Sequence, residues 1–264
     1  MLTPFFHYEF LQNAFISGLL IGLIAPLLGV FIVVRRLSLI ADALSHVSLA
    51  GIAASLYVGK QFAIFAGISP IYFGMLFSVS GSLIIEKLRT VYKHYQELAI
   101  PIIMSGGIGV SVIFISLADG FNTDLFSYLF GSVSAVSRED LMVIIGISAA
   151  VLIVIFSLFK ELFLLSFDEE HAKASGISAK WIHFIFILIV ALVIAASMRI
   201  VGTLLVSALM TLPVAASMRI AKGFKQAIFL SVLFGELSVI IGLILAYHLD
   251  LAPGERLCCY PFSS

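Results

Sequence analysis

The sequence predicts an all-α, polytopic integral membrane protein, and three observations carry that reading. The 264-residue chain is 61% hydrophobic and only 11% charged, where soluble domains carry about 25% charged residues. Its mean hydropathy is +1.17. Its apolar runs repeatedly reach the roughly 20 residues that a helix needs to cross the hydrocarbon core of a bilayer.

Eight runs read as transmembrane helices, near residues 11–34, 38–58, 62–86, 98–118, 139–160, 181–198, 200–219 and 226–249. A further apolar piece, Leu125 to Val136, is too short to cross and reads as a re-entrant or half helix. Pro26, Pro70, Pro101 and Pro213 fall inside these spans, where proline frees a carbonyl and bends a helix. Gly18 and Gly22 form a G-x-x-x-G, and Gly106, Gly107 and Gly109 cluster in another span, as in helices that approach closely. No soluble domain, linker, low-complexity segment or internal repeat is visible.

Basic residues set the orientation. With the N-terminus outside and the helices alternating, the inner loops hold Arg35, Arg36, Lys87, Arg89, Lys93, Lys160, Lys173, Lys180, Arg219, Lys222 and Lys225. The outer side keeps only Lys60, Arg138, Arg199 and Arg256, a clear positive-inside bias. The first ten residues contain no Lys or Arg, so no cleavable signal peptide is expected. Equal numbers of acidic and basic residues point to no particular partner, and no basic block suggests nucleic acid. Cys258 and Cys259 are adjacent, which offers neither a disulfide framework nor zinc-site spacing.

Polar residues inside the spans are the functional candidates, because a charge at mid-bilayer costs roughly 2.5–3.5 kcal/mol even on insertion scales. Asp42 and His46 are four residues apart, so a helix sets them on one face, one turn apart. Carboxylate oxygen with imidazole nitrogen suits zinc or manganese, and the pair points to a path for a metal ion. The imidazole binds metal when neutral, so acid weakens such a site. Glu236 is the third candidate for the path and Asn13, early in the first helix, the fourth. His183 and His248 sit near span ends and read as interfacial. The longest polar interruption, Ser166 to Ser178 on the inner side, holds a short helical turn capped by acids and ended by Gly176. An ordered exposed loop of this kind suits a docking surface.

Five segments together resemble the membrane permease subunits of ATP-binding-cassette importers for zinc and manganese. They are Ser38 to His46 with Leu49-Ala50-Gly51, Tyr128-Leu129-Phe130-Gly131-Ser132, Phe167 to Ala172 ending at Gly176-Ile177, Arg199 to Leu209 closing on Leu212-Pro213, and Leu249 to Gly254. Their order and spacing match over nearly the whole chain. The resemblance implies a homodimer of all-helical subunits in a bacterial cytoplasmic membrane, around a central path for Zn2+ or Mn2+, with no permanently bound cofactor. It implies a separate cytoplasmic ATPase that binds the ATP and an extracellular or periplasmic metal-binding protein that delivers the ion. Asp42 and His46 match the family's acid–histidine pair. Phe167, Asp168, Glu169, Glu170, His171, Ala172 and Gly176 match its ATPase-coupling helix. The stretch His46-Val47-Ser48-Leu49-Ala50-Gly51 looks more like the zinc branch than the manganese branch, so zinc is the expected cargo. The chain has no G-x-x-x-x-G-K-[ST] loop, so transport energy is expected from another chain and no enzymatic activity from this one.

The resemblance covers residues 1–254 and stops there. The family continues with Gly-Thr and an apolar helix, whereas residues 255–264 read Glu-Arg-Leu-Cys-Cys-Tyr-Pro-Phe-Ser-Ser. Shifted by one base, codons for this tail can spell Gly-Thr-Ile-Val-Leu-Leu-Ser-Leu. The expectation is an aberrant tail produced by a single-base deletion, with a last helix missing. Other classes fit less well. An ion-gradient-driven transporter also carries intramembrane acids but needs no docking segment. An intramembrane hydrolase would need a better dyad than Ser45 and His46, which point about 100° apart on a helix. Nothing specific speaks for a sensor or scaffold.

Overall fold

A computed structural model describes residues 9–62, 67–92, 95–118, 120, 123–132 and 136–248. Among these, the helices in chain order are α1 (Glu9–Val34), α2 (Leu39–Gln61), α3 (Pro70–Val91), α4 (Ala99–Leu117), α5 (Thr123–Phe130), α6 (Arg138–Ser157), α7 (Phe159–Phe167), α8 (Glu169–Ala174), α9 (Ala179–Val201), α10 (Thr203–Ile220) and α11 (Phe224–His248), with a 3-10 turn at Gln96–Leu98. Eight of them are long and apolar enough to span a membrane, as the sequence predicts. Leu249 to Gly254 and the tail at 255–264 lie outside the described residues.

Burial sorts the spans into centre and rim. The apolar windows of α1 and α2 are each 72% buried and that of α9 is 61%, against 33% or less for the other five. The centre is α1, α2 and α9, where Ile24, Leu28, Phe31, Ile32, Ile40, Leu44, Val190 and Ile194 meet. Around it α2 packs on α3 and α4, α1 packs on α6 and α11, and α9 and α10 join the two groups.

Small residues set these crossings. A side-chain carbon on Gly18 or Gly22 of α1 would press on Val239 of α11 at 3.1 and 3.2 Å. The G-x-x-x-G is therefore the seat of α11. Gly51 of α2 lies under the Phe73 carbonyl and Phe77 Cβ of α3, where an added carbon would come within 2.5 and 2.7 Å. Removing Cβ lets the backbones close in, which is what drives packing where lipid supplies no hydrophobic contrast.

The structure corrects several boundaries. Pro70 does not bend a span: it is the first residue of α3, where its missing N–H costs nothing. Pro101 lies in the first turn of α4, and of these four prolines Pro26 and Pro213 lie in helix interiors. The re-entrant helix ends at Phe130 rather than Val136, because Gly131 turns left-handed (φ 78°). The fifth span ends at Ser157, and α7 restarts at Phe159 after a break at Leu158.

Acid–base pairs tie both ends of the bundle. One end joins Glu86, Arg89 and His183, and places Arg35 over the Phe186 ring at 5.7 Å. The other joins Glu9 with Arg138 and Asp140 with Arg199, and the Lys60 ammonium donates to the Ala118 carbonyl at 2.7 Å. His183 does stand near the end of its span, in the first turns of α9. It is buried, with Nε2 2.7 Å from Arg89 Nη1 and 3.0 Å from Glu86 Oε2.

Candidate functional site

Asp42 stands in the first turn of α2 and His46 one turn further in, so the pair lies toward the Arg35–Arg36 end of the helix. Asp42 Oδ1 and His46 Nε2 are 4.0 Å apart, too far for a hydrogen bond. The side chains keep 39% and 23% of their surface. The two groups thus share a face without satisfying each other, a spacing that leaves room for an ion between them.

The rest of α2 is locked around that face. Ser45 Oγ donates to the Asp42 carbonyl at 2.8 Å, and Ser111 Oγ of α4 donates to the His46 carbonyl at 3.1 Å and to its own Gly107 carbonyl at 2.8 Å. Val47 is gripped from both sides: a carbon added to Gly81 of α3 or to Gly107 of α4 would come within 2.8 Å of a Val47 methyl. Gly107 also lies against the Val47 amide nitrogen, which an added carbon would approach to 3.0 Å. Gly81, Gly107 and Ser111 therefore hold the stretch of backbone that carries His46. Sequence reasoning noted the glycine cluster but not its target.

The other two path candidates lie elsewhere. Glu236 of α11 packs its carboxylate on Gly22 of α1, with Oε2 buried and unpartnered. Asn13 is buried near the opposite end of α1 from Arg35. Among the described residues α11 makes no packing contact with α2, so one chain does not gather Glu236 with Asp42 and His46. Nor do these residues contain any group of three or more His, Cys, Asp and Glu that could hold a metal.

The segment after α7 folds as its acids suggest. Asp168 Oδ1 accepts from the His171 amide at 2.8 Å, capping α8. Ala172 is fully buried, its carbonyl accepts from the Ile177 amide at 3.1 Å, and Gly176 closes the end at φ 80°. Phe167, Glu170 and His171 remain exposed, while the side chain of Glu169 lies outside the description. The segment is anchored through rings. Phe224, first residue of α11, lies 5.0 Å from Phe163, 5.6 Å from Phe167 and 5.4 Å from Phe31.

A second junction, missed from sequence, forms at the opposite end. Gly131 and Gly202, both left-handed, touch: a carbon on Gly202 would come within 2.5 Å of the Gly131 nitrogen. Ser132 N donates to the Arg199 carbonyl at 3.1 Å, and Thr203 Oγ1 to the Tyr128 carbonyl at 3.0 Å. The Arg199 guanidinium reaches Asp140 at 2.8 Å and lies 5.8 Å from the centre of the Tyr128 ring. The segments at 128–132 and 199–203, separate in sequence, are one contact in space.

The profile of the ABC 3 transport family matches residues 7–259. The chain belongs to that family. Its similarity to curated proteins runs over almost its full length. It is 37% identical over 250 residues to the manganese import system permease protein ScaB of Streptococcus gordonii, covering 95% of this chain and 87% of that one. It is 33% identical over 250 residues to the manganese transport system membrane protein MntC of Listeria monocytogenes, covering 95% and 86%. Its fold is similar to that of a chain in the solved structure of PsaBC from Streptococcus pneumoniae with a Fab, with TM-score 0.80, 33% identity, and 96% and 89% coverage. This ABC 3 chain is therefore a multi-span bacterial membrane permease of a metal importer. Both of these curated relatives are named for manganese, so the expected preference for zinc finds no support.

Proposed function

We propose that this chain is the membrane path of an ATP-driven importer of divalent metal ions, with manganese as cargo, working as a homodimer. Asp42 and His46 supply this chain's share of the ion's ligands. The observation that carries the reading is their geometry: an acid and an imidazole in a spanning helix, 4.0 Å apart, part-exposed, and held from behind by α3 and α4. Such groups do not face acyl chains; they face water or a partner. A second copy across a two-fold axis doubles the donors to four. Manganese takes carboxylate and water oxygen readily and needs no thiolate. The names of the relatives favour it over zinc. A site of few protein ligands also releases its ion, as transport requires.

Phe167–Gly176 is the docking element for a separate ATPase, and a metal-binding protein outside delivers the ion. The capped, buried-backed helix α8 at the basic end supports this. The test is uptake into vesicles holding this chain, its ATPase and its binding protein. ATP-dependent manganese accumulation, outcompeting zinc, is expected. Uptake driven by a proton or sodium gradient without ATP contradicts the reading, and zinc outcompeting manganese overturns its choice of cargo.

A further inference from the structure

A cleft of about 680 Å³ opens at the basic end of the bundle, lined by Phe156, Ser157, Phe159, Lys160, Glu161, Lys225 and Ile228. Its size falls within the roughly 300–1,000 Å³ of small-molecule sites. It lies between the α6–α7 break and the first turn of α11. The backbones of α7 and α11 do not pack on one another; the Phe224 ring bridges them to Phe159, Phe163 and Phe167.

Ser157 Oγ of the cleft donates to the Ile153 and Val154 carbonyls, but the cleft's charged groups are unspent among the described residues. Lys160 and Lys225 are exposed, and neither has an ion-pair partner among the described residues. Glu161 Oε2 is buried without a hydrogen-bond partner. Two ammonium groups and one carboxylate, with Phe156, Phe159 and Ile228 beside them in the lining, match a molecule with a phosphate, an amine and an apolar tail. The position matches too. Basic pockets between spanning helices on the cytoplasmic side suit phospholipid headgroups, and the positive end of α11 adds to the attraction for phosphate.

We propose that this cleft is a binding site for an inner-leaflet aminophospholipid of the phosphatidylethanolamine type. Its phosphate lies between Lys160 and Lys225, its ammonium meets Glu161, and its acyl chains run along Phe156 and Ile228. Bound there, the lipid braces α7 against α11, beside the rings that anchor α8.

The test is native mass spectrometry of the detergent-purified protein with added dioleoyl phosphatidylethanolamine, phosphatidylglycerol or phosphatidylcholine. Wild type is expected to retain phosphatidylethanolamine. Lys160→Ala with Lys225→Ala lowers that retention roughly tenfold, on the order of one lost charge-assisted contact set. Lys87→Ala, an exposed lysine at the same end of α3, leaves it unchanged. Glu161→Gln weakens phosphatidylethanolamine and not phosphatidylglycerol. Equal retention by wild type and the double variant overturns the site. Equal loss in Lys87→Ala reduces it to general attraction to the basic end, and indifference to Glu161→Gln removes the amine. A photoactivatable phosphatidylethanolamine on the unmutated protein gives a readout independent of folding. Crosslinks at residues 153–163 or 224–229 are expected; crosslinks only elsewhere, or a protein segment filling the cleft, refute the proposal.

Discussion

Val47 carries the packing that holds the backbone at its neighbour His46. Gly107 lies so close that a single added carbon would press on both a methyl and the amide nitrogen of Val47, while the adjacent Gly106 has nothing within 4 Å. Overpacking of this kind costs about 1–3 kcal/mol. Gly107→Ala is therefore expected to lower thermal stability and manganese uptake together, and Gly106→Ala to lower neither within a single subunit; melting curves of the two purified variants check this. A similar contrast holds at the other end. Asp140 is 2% exposed and loses its counter-ion in Arg199→Ala, which costs about 3 kcal/mol. Arg138→Ala breaks only the exposed pair with Glu9 and costs about 1 kcal/mol or less. The expected result is a much larger drop in folded yield for Arg199→Ala, measured by size-exclusion chromatography. The rarity of charge in a span made Asp42 and His46 legible in the sequence. The partnership of Asp140 with Arg199 was not, because 59 positions separate them and neither carries a local signal of the other.

At the scale of elements, α8 was readable because a helix start is local chemistry: Asp168 three residues before the amide it caps, and Gly176 where the chain must turn left-handed. The start of α3 was misread because the apolar residues before Pro70 continue the hydropathy of the span, and only backbone geometry shows proline opening the helix. The division of α6 from α7 was likewise hidden inside one apolar run. What joins these elements is aromatic. Phe224 links α11 to α7 and α1, so it connects the segment that leads into α8 to the helix that carries Glu236. Phe224→Ala is expected to leave ATP hydrolysis by the assembled complex running while uptake per ATP falls several-fold, and Phe224→Tyr to restore it. An unchanged ratio in Phe224→Ala would remove the ring cluster from the coupling route.

For the whole molecule, hydropathy, positive-inside bias and the five family-like segments were enough for the eight spans and the permease architecture. They did not reach the grouping of the polar residues. Glu236 reads from sequence as a companion of Asp42 and His46, yet it stands on a helix that packs on α1 rather than α2. Periodicity says which face of a helix a residue occupies, but not which neighbour that face meets. The molecule thus presents an acid–imidazole pair at Asp42 and His46, an end carrying the capped helix α8, and an opposite end tied by Arg199 and the Gly131–Gly202 contact.

The most direct measurement is ATP-dependent uptake of radiolabelled manganese by vesicles holding the ATPase, the binding protein and either wild-type chain, Asp42→Ala or His46→Ala. Ligand loss is expected to cut uptake by more than about tenfold while each variant still co-purifies with the ATPase. Wild-type uptake rates in both variants would contradict the assignment of the ion's path to this pair.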